Sequence, residues 1–230
     1  MSGTGATNRK GLQENAPNLV KLFRGQVEKN KNLAGKDLSA EERASYLKDA
    51  HLLERYIASV PTLQLIAPTL AVKQKLTLKR GSRTIEILHP GRGHTPADLV
   101  VHLPQEGILI TGDLVVRPVP LIGSTSLPAD YSATLERLLA LKPKIIVPGH
   151  GAVLREDLYV RQMVRLLNSI RQQTEAAVGR GETLEQATKS VNLEEFRQLF
   201  AGDSQNRSFI FQNYVTAPGV AAAFRQASAR

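Results

Sequence analysis

Three short glycine-containing turns, each directly after a strand-like run, constrain this chain more than any other feature of its sequence. They are GRGHTPAD at 91–98, ITGD at 110–113 and PGHG at 148–151. Each carries one side chain that can bind a metal: His94, Asp113 and His150. Glycine lets the backbone turn sharply at such points. Two imidazoles and a carboxylate presented in this way predict a metal site at a sheet edge, since these donors suit zinc and also manganese or iron.

The strand pattern fills residues 62–153. Short runs rich in Ile, Val and Leu, divided by Gly and Pro, predict strands at LQLIAPTL, KLTLKR, TIEILHP, DLVVHLP, GILITGD and KIIVPGH. The second and third runs predict a hairpin that turns at Gly81-Ser82, and the next two predict another that turns near Gln105-Glu106-Gly107. One helix is expected from about Asp130 to Leu141, with Asp130 as its N-cap.

Helical patterns lie on both sides of this region. In SAEERASYLKDAHLLERYIASV, Ser39 and Glu42 form a capping box that predicts a helix start, and Pro61 ends the pattern. Residues 155–229 are predicted to be helical again. The expected organisation is a partial domain at 1–153, helical over 1–60 and strand-rich over 62–153, followed by a helical region at 154–230. The fold class is α+β, a mixed β-sheet with flanking helices.

Composition narrows the class of protein. The 230 residues are 42% hydrophobic and 22% charged, with no Cys, which excludes disulfides and a thiol nucleophile. No apolar run is long enough to span a bilayer. The first residues lack the apolar core of a signal peptide, so the location is unknown, cytoplasmic by default, unless an upstream signal is missing.

The net charge of +9 is placed unevenly. Residues 1–80 hold 14 Lys and Arg against 7 Asp and Glu, while residues 81–150 hold 6 against 6. The basic excess therefore lies away from the predicted metal site. Aromatic residues are only 5% of the chain, and no nucleic-acid-binding module is visible, so a solvated basic helix is favoured over a nucleic-acid contact.

The three motifs, in this order and spacing, resemble the metallo-β-lactamase superfamily of metal-dependent hydrolases over residues 64–153. The resemblance implies a four-layered αββα sandwich. It implies that His94 binds a first metal, that Asp113 bridges two metals and that His150 binds the second. It also implies up to two zinc ions, with manganese or iron as alternatives, and a metal-bound hydroxide that attacks the carbonyl of a small-molecule ester, thioester, amide or lactam.

The upstream signature of that family, H-x-H-x-D-H, is absent. The chain has five His, and none of them lies in an H-x-H pair: His51, His89, His94, His102 and His150. The chain therefore resembles a family member that is truncated at its N-terminus and lacks half of the metal ligands. Two functions stay open, a metal-dependent hydrolase and a non-catalytic remnant or binding protein of the same fold. A sheet without its partner sheet would also expose an apolar face, which favours a homodimer.

Asp98 and the other three histidines are each predicted to have a structural role. Asp98 is expected to anchor the turn after His94 by bonding backbone N–H groups, or to support His94 indirectly. His102 is interpreted as a strand residue, His89 as bonded to the backbone and His51 as a helix-surface residue. The segment RPVPLIGSTSLPADY at 117–131 follows Asp113 directly, so it is a candidate substrate-binding loop. No residue can be assigned as the general acid.

Overall fold

In the computed structural model, the described residues are 3–32, 35–62, 64, 66, 68–123 and 125–229, with side chains from residue 15 onward. The chain divides into two compact units, 1–70 and 71–230. The predicted domain limit between 153 and 154 stays a prediction. No helix within these ranges is both long enough and apolar enough to cross a membrane.

The first unit is a helical hairpin. Helix α1 spans Gly3–Lys29 and α2 spans Ala40–Ser59, followed by a short 3-10 turn at Val60–Thr62. The capping box predicted at the start of α2 is confirmed, because the Ser39 hydroxyl accepts from the Glu42 N–H while the Glu42 carboxylate accepts from the Ser39 N–H. Between the helices, the rings of Phe23 and Tyr46 stack with centroids 5.5 Å apart.

The second unit is built on a five-stranded sheet in the order β1-β2-β3-β4-β5. The strands are β1 Lys75–Arg80, β2 Arg83–Leu88, β3 Val100–Leu103, β4 Ile108–Val116 and β5 Ile145–His150. The first four are antiparallel neighbours, whereas β5 pairs with β4 in parallel, so the predicted α+β class with a mixed sheet is confirmed. Both predicted hairpins are also confirmed, with Arg80 opposite Arg83 and Leu103 opposite Ile108.

The described residues of one predicted strand lie outside the sheet. Of LQLIAPTL at 63–70, residues 64, 66 and 68–70 lie outside any strand, while 63, 65 and 67 lie outside the described residues. An apolar run fixes a strand only where a neighbouring strand pairs with it, and the sheet begins at β1 instead.

The described part of the second unit also contains six helical segments. They are α3 Pro128–Ala140, α4 Leu158–Gly179, α5 Leu184–Ser190, α6 Glu194–Ala201, α7 Gln205–Phe211 with a π turn at Gln212–Thr216, and α8 Ala217–Ser228. The prediction that Asp130 caps α3 is wrong: the N-cap is Leu127, because Pro128 occupies the first turn, where its missing N–H costs nothing. Asp130 lies in the first turn.

The two faces of the sheet differ in composition. On the helix-covered face, Leu109 and Ile146 are buried in one hydrophobic cluster with α3 and α4, to which Leu135, Met163 and Ile170 contribute. The alternation of the strands sends a second, aliphatic set to the opposite side, and we call it the aliphatic face. Its members are Leu76, Leu78, Ile85, Ile87, Val101, Leu103, Ile108, Ile110, Ile145 and Val147. None of them is fully buried.

Candidate metal centre

Asp113 and His150 lie at the carboxyl end of the parallel pair β4 and β5. His150 is the last residue of β5, as predicted, but β4 continues past Asp113 to Val116. The register shifts here: Gly112 pairs with Pro148 and Val116 with His150, so three residues of β4 lie opposite one of β5. Such a bulge re-aims a side chain, so Asp113 can face His150 although it lies inside a strand.

The bulge brings the two side chains together. His150 Nε2 lies 3.5 Å from Asp113 Oδ1, and 67% of the imidazole and 40% of the carboxylate are exposed. At this distance the two groups face each other without a good hydrogen bond. His150 Nε2 and Asp113 Oδ1 are therefore both free to contact a third partner such as a metal ion. Gly149 makes the approach feasible, because a Cβ at that position would overlap Asp113 Oδ1 and lie 2.7 Å from the Gly112 carbonyl carbon.

His94 lies in the turn after β2 and is held through its ring and its backbone. Its Nδ1 is 3.3 Å from the carbonyl oxygen of Leu121, which can only accept. The tautomer that fits therefore carries its proton on Nδ1 and leaves the lone pair of Nε2 available, as in most histidines that bind a metal. The His94 carbonyl in turn accepts from the Ser126 hydroxyl at 2.9 Å.

The segment 117–131 builds the surroundings of His94. Leu121 and Ser126 supply the contacts just described, and Gly123 lies so close that a Cβ there would come within 3.2 Å of His94 Cε1. The Ile122 N–H donates to the Tyr214 carbonyl at 2.8 Å, which ties the segment to the π turn. Residue 124 lies outside the described part. The segment thus holds His94 in place, while its role in binding a substrate stays a prediction.

Asp98 anchors the turn that carries His94, as one of its two predicted roles requires. Its Oδ2 accepts from the Thr95 N–H at 2.8 Å and its Oδ1 from the Thr95 hydroxyl at 2.7 Å. The Asp98 carbonyl also faces His89 Nδ1 at 2.9 Å, so the local backbone contact predicted for His89 is confirmed. Asp98 is hydrogen-bonded to Thr95, the neighbour of His94. An influence of Asp98 on the His94 ring itself stays a prediction.

Tyr131 contacts the backbone of Asp113 through its hydroxyl. The sequence alone did not predict this role. It belongs to α3, is fully buried, and its hydroxyl lies 3.2 Å from the Asp113 carbonyl and 3.0 Å from the Leu114 carbonyl. Burial raises the pKa of Tyr131 well above its usual range, so the hydroxyl keeps its proton and remains a donor. The only sequence signal was its place on the apolar side of a predicted helix, which is equally typical of a core residue.

The other two histidines have the structural roles predicted for them. His102 lies on β3 with 10% of its side chain exposed, and its Nδ1 is 3.1 Å from Glu86 on β2, which Lys75 on β1 also contacts. His51 lies on α2 with 70% of its side chain exposed.

The structure therefore brings together two of the three predicted ligands. Within the described ranges, no three His, Asp or Glu side chains form a group that could hold a metal ion. Asp113 and His150 are in reach of one another, and the contact of His94 Nδ1 with the Leu121 carbonyl leaves its Nε2 with a lone pair. The donor set fits a divalent ion in its chemistry, two imidazole nitrogens and a carboxylate, and each of the three side chains keeps an unbound donor atom.

The family model of the metallo-beta-lactamase superfamily matches residues 25–150, more than half of the chain, and this range includes His94, Asp113 and His150. The chain belongs to the metallo-beta-lactamase superfamily. It is 37% identical over 81 residues to the metallo-beta-lactamase type 2 of Bacillus sp. (strain 170), a match that takes in 33% of this chain and 32% of that protein. The chain thus spans about a third of the length of such curated relatives.

The chain is also similar to parts of solved structures. The metallo-beta-lactamase from Pontibacter korlensis is 27% identical, with a TM-score of 0.41 over 45% of this chain and 50% of that one. The stereoselective inverting sec-alkylsulfatase Pisa1 from Pseudomonas sp. is 13% identical, with a TM-score of 0.53 over 71% of this chain and 27% of that one. At this identity the second likeness concerns the fold alone, and it extends well beyond the matched family region.

Proposed function

We propose that this chain is a metal-dependent hydrolase that uses His94, Asp113 and His150 to hold a divalent ion. The observation that carries the proposal is the pairing of Asp113 with His150 at 3.5 Å on a bulged strand end, in a chain of this superfamily. The free Nε2 of His94 supports it. Nitrogen and carboxylate donors favour zinc, with manganese or iron as alternatives.

The residues would divide the work as follows. Leu121 would fix the tautomer of His94, and Tyr131 would hold the backbone that carries Asp113. A divalent ion, when bound, supplies Lewis acidity and a water of lowered pKa at neutral pH. The exposed position of His150 leaves one side of the site open to a small carbonyl substrate, an ester, thioester, amide or lactam.

The test is hydrolysis of a panel of chromogenic esters, thioesters and lactams by the zinc-supplied protein. We expect turnover that a chelator abolishes and added zinc restores. The variant Asp113→Asn keeps the shape of the side chain but removes its charge, and it should lose the activity. A protein that binds zinc but hydrolyses no member of the panel would contradict the proposal.

The alternative is a non-catalytic binding protein of the same fold. One observation favours it: among the described residues, no third ligand joins Asp113 and His150. A metal site with two ligands binds weakly and leaves little to orient a substrate. Retention of a ligand from the same panel without turnover, measured by calorimetry, would support this alternative.

We also propose that the aliphatic face pairs with the same face of a second copy. All of its ten positions are uncharged, but Arg80 and Arg83 lie on the same side of the sheet at the turn of the β1–β2 hairpin. A two-fold axis near β4 and β5 would bring apolar side chains together and leave these two arginines at the rim. Five strands about 4.8 Å apart give a face that would bury on the order of 1,000 Å² in two copies, near the lower limit of a specific interface.

Light scattering after gel filtration tests this pairing. Ile110→Lys places a charge on the aliphatic face and should convert a dimer into a monomer. Leu99→Lys is the matched control, because Leu99 is similarly exposed, at 44% against 40% for Ile110, but precedes β3 and lies outside the face. A monomeric wild-type chain, or a dimer unaffected by Ile110→Lys, would contradict the pairing.

A further inference from the structure

Arg117 contacts three successive residues of the turn that carries His150. Its backbone N–H donates to the His150 carbonyl at 3.1 Å, and its Nη1 donates to the Ala152 carbonyl at 3.3 Å. Gly151 between them packs so closely that a Cβ there would lie 2.7 Å from Arg117 Cβ. Gly151 also has a φ of 89°, a conformation that glycine adopts without strain. Arg117 thus brackets the turn on both sides.

Arg117 is itself held by Tyr159, the second residue of α4. The guanidinium carbon lies 5.1 Å from the centre of the Tyr159 ring, within the range of a cation–π contact. The Tyr159 hydroxyl lies 2.6 Å from the Val116 carbonyl and 3.1 Å from the Pro118 carbonyl, one residue on either side of Arg117. Tyr159 therefore fixes the backbone of Arg117 as well as its side chain.

Tyr159 is in turn held by residues of the hydrophobic core. The ring of Tyr159 packs edge-on against Phe200, with centroids 5.4 Å apart, and Phe200 is buried on α6. Burial raises the pKa of Tyr159 despite the nearby positive charge of Arg117, so its hydroxyl stays protonated and can donate. A chain of contacts therefore runs from the hydrophobic core through Tyr159 and Arg117 to the carbonyl of His150.

We propose that Arg117, clamped on Tyr159, is a positioning residue that fixes the His150 turn against β4 and so sets the spacing between His150 and Asp113. The inference rests on the proposed metal site for its functional consequence. A surface arginine with no such role would hold its guanidinium in solvent, whereas the Nε of Arg117 is fully buried. Burying the Nε of a charged guanidinium costs free energy, and a role in positioning the His150 turn explains why Arg117 is held there.

The chain offers a matched control for this arrangement. Arg165 also lies over an aromatic ring, that of Phe196 at 5.8 Å, and it pairs with Glu195 rather than with the His150 turn. Arg165→Leu removes the same kind of contact as Arg117→Leu without touching the proposed site. Tyr159→Phe is a second variant, which keeps the ring under Arg117 but removes the hydroxyl.

Two measurements test the inference on the full chain. The first is amide hydrogen exchange of residues 149–152 without metal, which should become about tenfold faster in Arg117→Leu and Tyr159→Phe and stay unchanged in Arg165→Leu. The second is cobalt(II) titration followed by the visible absorption of the ion. Loss of a supporting residue should weaken cobalt affinity by about tenfold and alter the spectrum, again with no effect of Arg165→Leu.

The outcomes separate this inference from the proposed function. Unchanged exchange in Arg117→Leu would overturn the inference, and so would faster exchange with wild-type cobalt affinity and spectrum, since Arg117 would then be merely structural. A wild-type chain that takes up no cobalt would defeat the proposed metal site. The exchange data alone would then decide whether Arg117 fixes the turn.

Discussion

Two histidine–carboxylate pairs lie on the same sheet and differ in almost every physical respect. His102 and Glu86 face each other across regular antiparallel strands, 3.1 Å apart, with 10% and 17% of their side chains exposed. His150 and Asp113 face each other across a bulged parallel pair, 3.5 Å apart and with 67% and 40% exposed. Lys75 completes the first pair, whereas the second keeps unused donor atoms.

The difference shows how the same residue types serve stability or chemistry. A regular register places His102 directly opposite Glu86, and burial favours a closed, fully bonded arrangement. An irregular register aims Asp113 out of the strand toward an exposed imidazole, where neither group is satisfied by the other. We call these the closed pair and the open pair. Mutations in the closed pair should therefore affect the stability of the protein, whereas mutations in the open pair should affect its ligand binding.

The largest effect on stability is expected from Gly149→Ala, which attacks the geometry of the open pair. The added methyl group would overlap Asp113 Oδ1 and lie 2.9 Å from the Asp113 backbone nitrogen, so the backbone has to shift. We expect a loss of about 3 kcal/mol in the free energy of unfolding, measured with urea. Gly179→Ala is the control: nothing lies within 4 Å of the new methyl group at the end of α4, so stability should not fall. Equal stability of the two variants would refute the close approach.

The next effect separates the two pairs directly. His102→Ala should lower the free energy of unfolding by about 2 kcal/mol, because it removes a buried, hydrogen-bonded ring from beside Glu86. His150→Ala should change the same quantity by less than about 0.5 kcal/mol, because the ring is exposed and weakly bonded. Urea unfolding at neutral pH measures both. Similar losses in the two variants would remove the distinction between a closed and an open pair.

Tyr131→Phe should have a comparable but smaller effect, about 1–2 kcal/mol, because it leaves the carbonyls of Asp113 and Leu114 without their buried donor. The same variant should weaken metal binding if the backbone of Asp113 relaxes. Thermal unfolding and zinc titration measure the two effects. An unchanged melting temperature would show that these carbonyls find other partners.

The smallest effect concerns the pH dependence of the closed pair. The hydrogen bond from Lys75, and after it that from His102, lowers the pKa of Glu86 below its ordinary value of 4.5. A lowered folded-state pKa adds stability that is complete above the unfolded-state pKa and is lost as pH falls through the folded-state value. The stability difference between wild type and Glu86→Gln should therefore shrink below about pH 4.5. A difference that is constant from pH 7 to pH 3 would contradict this account.

Local patterns predicted local structure well. The capping box at Ser39 and Glu42 and the hairpin at Gly81-Ser82 depend on neighbouring residues alone, and both formed as expected. The described residues of LQLIAPTL do not form the predicted strand, because a strand needs a partner that no local pattern specifies. The N-cap at Asp130 failed because Pro128 competed for the helix start two residues earlier.

The candidate site was predictable in its residue types and not in its geometry. Motif and strand patterns predicted His94, Asp113 and His150, and the structure pairs the last two. The bulge at Gly112, by contrast, arises from the pairing of β4 with β5, which are separated by α3 in the sequence. Arg117 and Tyr159 were not predicted for the same reason, because their contact joins distant segments and neither lies in a motif.

The most direct test of the open pair is its zinc content. Purified protein, dialysed after exposure to zinc, would be analysed for bound metal as wild type, as His94→Ala/His150→Ala and as His102→Gln, which keeps a polar side chain beside Glu86. The account predicts about one zinc ion or more per chain in the wild type and in His102→Gln, and none in the double variant. A folded wild type without zinc, or a double variant that retains it, would contradict a metal centre at these residues.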